Sequence, residues 1–379
     1  MNLLAFRQDC PTSPPNAGSS WLNATSAIAV IETPEALASL ISRIEPGALC
    51  AIDTEADSLH RFRESLCLIQ FAHGEDSVLI DPLAIDDLMP LSKALESATV
   101  WMHGADYDMT MLRREFGVLP AEVFDTQIGA RLLGLRKFGL ANLVSHYFGV
   151  ELVKTSQKAD WGRRPLSPKM TDYALNDVRY LLPMAEMIVA GLREKGRYAW
   201  FLESCEAAKA KVLARDESKD EPWRVQGAGR LDRRGLSFLL ALWEWRNDEA
   251  ESWDRPTFMV VPNRVLVEWS ALLSAGKPVE VPKSYRAERR KRLDKVLAET
   301  RKMPESEYPE KIKGSRRRRD PDFDRKVSEI IAVRDRKGEE LGIDSSLIAS
   351  RSMIEVLAAG DEVAEGLLLN WQMECLGIS

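Results

Sequence analysis

Apolar residues recur along this chain with two different periods. Between Ala48 and His103 they come in short runs, "ALCAIDTE", "LCLIQFA", "SVLID" and "TVWMH", each of strand length, and "HGED" between the second and third predicts a hairpin turn. Ahead of them "TPEALASLISRIEP" predicts a helix to about Arg43, with Thr33 as N-cap and Pro34 at its first position. Strands in close succession, a helix at about 86–97, a further strand and then helices predict a mixed sheet flanked by helices. Helical spacing follows at about 106–116, 126–134 and 139–147. A longer helix opens at Ser167 and Pro168 and is expected to run to Lys195, with Gly196 past its end. Past the polar stretch "ARDESKDEPWRVQGAGR" at 214–230 only helical periodicity remains, at 232–252, 262–275 and 284–302, then in a last group at 322–379. The layout of the two groups suggests a diverged repeat. The expected division is a flexible arm at 1–24, an α/β domain at 25–212, a helical domain at 213–302, a basic linker at 303–320 and a second helical domain at 321–379.

One helix breaks the pattern. Met170, Tyr173, Ala174, Asp177, Leu181 and Met184 share a face with the spacing of a buried stripe, yet Asp177 sits in its middle. A buried, unpaired carboxylate is costly, so Asp177 needs a partner. Asp53 and Glu55, two apart on a strand, lie on one face at the end of an apolar run, where α/β sheets keep their sites. Alone, this D-x-E reads more readily as a turn with an Asx cap. "VWMHGADYDMTML" repeats the situation: Asp106 suits a helix N-cap, whereas Asp108 falls on the side that should face the sheet. Four inward carboxylates from three segments cannot all ionise in a dry site. Hard divalent cations with oxygen ligands, Mg²⁺ or Mn²⁺, resolve the repulsion, and two of them form a clamp for displacement at phosphorus. His60, His73, His103 and His146 are scattered, which argues against a zinc hydrolase.

With those residues in view the chain resembles a known family. D-x-E on the first long strand, "HGADYD" after the fourth and Tyr-x-x-x-Asp on the last helix match, in order, the three motifs of the DEDD exonuclease superfamily, tyrosine subtype. "LCLIQ", "FDTQIGARLL", "GLANLV", "ADWGRRPLS" and "YALNDVRYL" extend the resemblance to the ribonuclease D family over residues 48 to about 195. Position 172, where the histidine subtype would carry its base, is Asp172. "LLALWEWRNDEAESWDRPTFMVVPNRVLVEWS" resembles the HRDC domain, a small nucleic-acid-binding helical module, and 321–379 resembles a second copy more weakly. The resemblance implies a ribonuclease H-like α/β exonuclease domain followed by two all-α HRDC-like domains. It implies that Asp53, Glu55, Asp108 and Asp177 hold two Mg²⁺ or Mn²⁺ ions, and that Tyr173 orients the attacking water. The implied activity is a metal-dependent 3′–5′ exoribonuclease releasing nucleoside 5′-monophosphates from RNA with an accessible 3′ end, such as tRNA precursors. A DNA exonuclease of the Werner or proofreading type and an inactive RNA-binding scaffold are the alternatives. The scaffold should have lost a carboxylate, and all four are present.

Charge adds one feature. The net charge of −6 does not announce a nucleic-acid partner, but residues 283–326 hold 17 basic against 9 acidic residues, either a solvated helix and linker or a polyanion-attracting segment. Trp243 and Trp245 are expected in a core. His60, Phe62, Trp101, His103, Trp161 and Arg164 are candidates for gripping substrate, by stacking on bases or pairing with phosphate, and each could equally be structural. Five scattered cysteines without a C-x-x-C pair give neither a disulfide framework nor a zinc site, and Cys50 and Cys67 belong to apolar runs. With no signal-like start and no apolar stretch of membrane length, the expectation is a cytoplasmic protein without a membrane partner.

Overall fold

The computed structural model describes residues 30–74, 76–153, 155–215, 221–311, 321–360 and 366–378. The expected arm at 1–24 and the "GSRRRR" stretch lie outside them. Six strands, β1 (Val30–Ile31), β2 (Leu49–Ala56), β3 (Leu66–His73), β4 (Asp76–Ile80), β5 (Thr99–Met102) and β6 (Glu122–Asp125), form one sheet in the order β1-β4-β3-β2-β5-β6. β3 is antiparallel to both β2 and β4, while β1–β4, β2–β5 and β5–β6 are parallel, so the sheet is mixed as expected. β1 and β6 carry too few apolar residues to stand out from the sequence.

The helices of this first unit are α1 (Pro34–Ile41), α2 (Met89–Leu95), α3 (Asp106–Phe116), α4 (Thr126–Leu132), α5 (Leu140–Phe148), α6 (Pro168–Arg179), α7 (Leu181–Glu194) and α8 (Tyr198–Leu213). Thr33 caps α1 through Ala36 N, and Ser167 caps α6 through Met170 N. The single helix expected from 168 to 195 is two. Pro183 has no N–H to give the carbonyl of Arg179 and its ring crowds that carbonyl, so the chain turns at Tyr180 and restarts with Pro183 in the first turn of α7. Asp106 is not the cap of α3. Ala105 takes that position, and Asp106, the first helical residue, is exposed and paired with Arg215 at 2.7 Å.

Residues 57–65 and 221–311 belong to a second compact unit. It is built on α9 (Arg233–Trp253), α10 (Thr257–Val260), α11 (Asn263–Ser274) and α12 (Ala287–Lys302). Trp245 is buried among Phe238, Leu242, Leu266 and Leu293, with Trp243 partly buried against them. Glu249 on α9 is buried and accepts hydrogen bonds from Arg289 and Arg292 of α12, an ion-paired seam between the two helices.

The remaining helices, α13 (Pro321–Leu341), α14 (Arg351–Ala359) and α15 (Asn370–Leu376), make the segment expected as a second HRDC-like domain all helical. It clusters with the first unit. Val327, Ile343, Ile354 and Leu376 share one core with Leu181, Ile188, Leu192 and Phe201. Trp371 stacks on Trp200 at 5.1 Å, and Glu203 receives the Asn370 N–H at 2.7 Å. Arg197 donates to the carbonyls of Leu132 at 2.7 Å and Leu341 at 2.6 Å. Backbones meet closely here: a Cβ on Gly134, whose φ is +90°, would lie 2.2 Å from the Gly342 carbonyl oxygen.

Candidate active site

β2 ends in the sequence Asp53-Thr54-Glu55, and strand alternation sends the two carboxylates to one face. α6 lies over that face, Ala174 and Leu175 packing with Leu68 and Leu79, and brings Asp177 to the carboxylates. One oxygen from each of Asp53, Glu55 and Asp177 lies within 4.8 Å of the others. Asp108 approaches from the side. The β2–β5 pairing stops at Ala51, which leaves the N–H groups beyond it open on that edge. Asp108 Oδ1 takes the one on Thr54 at 2.9 Å and the Thr54 hydroxyl at 2.6 Å.

These carboxylates line a pocket of about 410 Å³ in the first unit, together with His103, Gln127, Leu140, Leu152, Tyr173 and Asn176. Tyr107 and Val153 form part of its lining and are exposed. Burial, then the charges of Asp108, Asp177 and Glu55, push Asp53 well above the usual carboxylate range. Burial and the neighbouring Asp177 and Asp108 carry Glu55 from 4.5 to about 9. Asp177 is raised by burial and by Asp108; Asp108 is raised by burial, against the two Thr54 hydrogen bonds. Burial first, then Asp177, Glu55 and Asp53, raise the Tyr173 hydroxyl above its ordinary value. Burial is the first cause of all five shifts, and for Asp53, Glu55, Asp177 and Tyr173 the neighbouring carboxylates add to it, with no lysine or arginine among the described residues of the lining.

A second carboxylate organises the approach to Asp108. Asp125, 8% exposed at the end of β6, caps α4 through Gln127 N at 2.7 Å and also accepts from Gly104 N and Ala105 N, each at 2.9 Å. Thr126 donates its hydroxyl to the Met102 carbonyl at 3.0 Å and lies 2.9 Å from His103 Nδ1. Since that hydroxyl proton is used, Nδ1 is the donor of the pair, and burial holds the imidazole pKa down. The turn at Gly104, φ +70°, is thereby pinned, and with it the start of α3. Thr54 and Asp125 were missed by sequence reasoning; the signal for the second was the N-cap pattern of "FDTQ".

The candidates for substrate contact fare unequally. His103 lines the pocket. Trp101 does not: it is 1% exposed, stacked on Phe201 at 5.8 Å and tilted against Phe124, with no face left for a base. Trp161 is also 1% exposed, wedged beside Tyr173 with ring centroids 6.1 Å apart, so it supports the tyrosine from behind. Arg164 is committed to the buried Asp81, to the Cys67 carbonyl at 2.7 Å and to the Trp161 carbonyl at 2.7 Å, which leaves it no role in holding phosphate. His60 and Phe62 belong to the second unit, where Phe62 packs on the helical core and the His60 carbonyl accepts from Arg255.

A family model described as a 3′–5′ exonuclease matches residues 28–192, the span that supplies every pocket residue. A ribonuclease D from Acidiphilium cryptum is 30% identical over 366 residues, covering 92% of this chain and 91% of its own. The chain belongs to the ribonuclease D family of 3′–5′ exoribonucleases. A ribonuclease D from Musicola paradisiaca is 32% identical over 345 residues, 86% of this chain and 89% of that one. The crystal structure of Escherichia coli RNase D, an exoribonuclease involved in structured RNA processing, superimposes with a TM-score of 0.71 at 26% identity, covering 93% of this chain and 99% of that one. The match to ribonuclease D thus extends through the helical units as well as the nuclease. No helix among the described residues is long and apolar enough to cross a membrane.

Proposed function

We propose that Asp53, Glu55, Asp108 and Asp177 hold two Mg²⁺ or Mn²⁺ ions with which the protein hydrolyses RNA from the 3′ end, releasing nucleoside 5′-monophosphates. The observation that carries this reading is a cluster of half-buried carboxylates whose mutual repulsion no lysine or arginine among the described residues of the pocket relieves. An all-oxygen donor set without histidine or cysteine ligands suits hard divalent cations. When bound, such cations supply charge stabilisation for the attacking and leaving oxygens of an in-line displacement.

The chain's own residues do the rest. Thr54 fixes Oδ1 of Asp108, and the carboxylate lines the pocket beside the other three. Tyr173, propped by Trp161, has the role of positioning the attacking water by hydrogen bonding, since a phenol with an ordinary pKa of about 10 is a poor base at neutral pH. Leu140 and Leu152 give the terminal base an apolar wall. The ribose 2′-OH is the group by which RNA is told from DNA. The basic segment 283–326 and the helical modules add a weak, salt-sensitive grip on longer RNA. Precursor tRNA with a 3′ trailer is the proposed substrate and the cytoplasm the proposed compartment.

The test is a 3′-overhang RNA and a matched DNA, each incubated with Mg²⁺ and with EDTA. Mononucleotides should be released from the RNA with Mg²⁺ alone. Release that survives EDTA removes the two-cation reading, and faster loss of the DNA removes the RNA preference.

A further inference from the structure

Gln70 stands on β3 directly across from Asp53 in the antiparallel pair. Residues so paired share a face of the sheet with their Cβ atoms about 4.5–5.5 Å apart. Its side chain is fully buried, and neither its amide oxygen nor its amide nitrogen has a hydrogen-bond partner among the described residues. An unmet buried polar group costs about 1–3 kcal/mol, so stability alone would favour an apolar residue here. The surroundings follow that preference: Leu68 and Ala72, on the same face of β3, and Leu79, paired with Gln70 on β4, are all buried and apolar. The amide stands opposite Asp53, whereas Glu55, two residues on, faces Leu68.

We propose that Gln70 is a positioning residue for Asp53: its Nε2, unpaired in the metal-free chain, turns to donate a hydrogen bond to the Asp53 carboxylate when a divalent cation is held there, and fixes the orientation in which that carboxylate meets the ion. This rests on the two-cation reading above. The residue type fits the task. A neutral donor can hold a carboxylate oxygen without cancelling the negative charge the cations need, whereas lysine or arginine would compete with them and glutamate would add to the repulsion. The amide's two ends also match its two sides. Ionised, Asp53 offers only acceptors, while on the Leu79 side the Trp161 indole N–H, in the same buried cluster as Leu68 and Leu79, is a donor without an acceptor among the described residues.

The experiment titrates the full-length protein with Mn²⁺ alone, in calorimetry, alongside thermal melting. Gln70→Leu should melt at or above the wild type and bind Mn²⁺ roughly 10- to 100-fold more weakly, the usual loss for a group that orients a metal ligand. Gln70→Met, closer in length, is read in its place if the leucine variant does not fold. Wild-type Mn²⁺ affinity in a folded variant, whether or not its melting point moves, overturns the inference and leaves the two-cation reading standing. A wild-type protein that takes up no Mn²⁺ overturns both.

Discussion

Two regions of this molecule bury carboxylates, and they treat them in opposite ways. In the helical unit Glu249 is 3% exposed but held by Arg289 and Arg292, and those hydrogen bonds outweigh burial and depress its pKa. At the end of β2 the carboxylates of Asp53, Glu55, Asp108 and Asp177 line one pocket with no arginine or lysine among its described lining residues, and every one of their pKa values is raised. The same chemical group is a finished internal contact in one place and an unfinished one in the other. What tells them apart is the source of the compensating charge: in the helical unit the chain supplies it and the group is structural, whereas at β2 no described lysine or arginine does and the carboxylates hold their protons more tightly.

That contrast can be broken at either end. The largest effect belongs to Asp177→Asn, which should lower mononucleotide release from a 3′-overhang RNA by more than a hundredfold while the protein melts no lower than the wild type, since a repulsion has been removed; an active Asp177→Asn enzyme ends the comparison. Next comes stability against pH in EDTA. Glu55 binds its proton more tightly folded than unfolded, so between its ordinary 4.5 and about 9 the folded state carries the extra proton and stability falls as pH rises. Asp53 and Asp177 act in the same direction. Thermal melting in EDTA should therefore drop by several degrees from pH 5 to pH 8, at about 2–4 °C per kcal/mol for a unit of this size, and millimolar Mg²⁺ should restore it at pH 8. Equal melting points with and without Mg²⁺ at pH 8 count against a cation site.

Glu249→Gln tests the other pole. It should destabilise the helical unit by about 1–3 kcal/mol in urea denaturation, with no gain from Mg²⁺. Smallest is Thr54→Val, which keeps the shape but drops the hydroxyl that holds Asp108; the backbone N–H bond remains, so a loss of about 1 kcal/mol, up to tenfold in kcat, is expected. A threonine that contributes only to folding would lower the melting point and leave kcat unchanged.

Much of the nuclease was legible in the sequence because its signals are local. Alternation put Asp53 and Glu55 on one face, the i, i+4 spacing put Tyr173 and Asp177 on one side of a helix, and Ser167-Pro168 announced where that helix begins. What was not legible depends on partners far away in the chain. β6, "EVFD", is a strand because β5 lies beside it, and its burial turns Asp125 from a simple cap into the acceptor that pins the Gly104 turn. Trp101, Trp161 and Arg164 have the composition of a nucleic-acid contact, but Phe201, Tyr173 and Asp81 claim them first. The break at Tyr180 was visible in Pro183 and outweighed by a long apolar stripe. Residues 321–379 read as a helical module; that they complete the core of the first unit depends on contacts with Leu192 and Phe201 that no local pattern encodes.

The close approach of Gly134 and Gly342 bears on how this protein can be divided. A chain cut after α12 would keep every residue of the pocket, yet it would lay bare the apolar faces of α7 and α8 on which Trp371, Ile343 and Leu376 rest, and would leave Glu203 and Arg197 without their distant partners. Such a fragment would carry the full catalytic inventory and still be prone to aggregate. Any side chain at Gly134 would therefore have to displace the Gly342 backbone, and the C-terminal helices with it, while every residue of the pocket stayed in place.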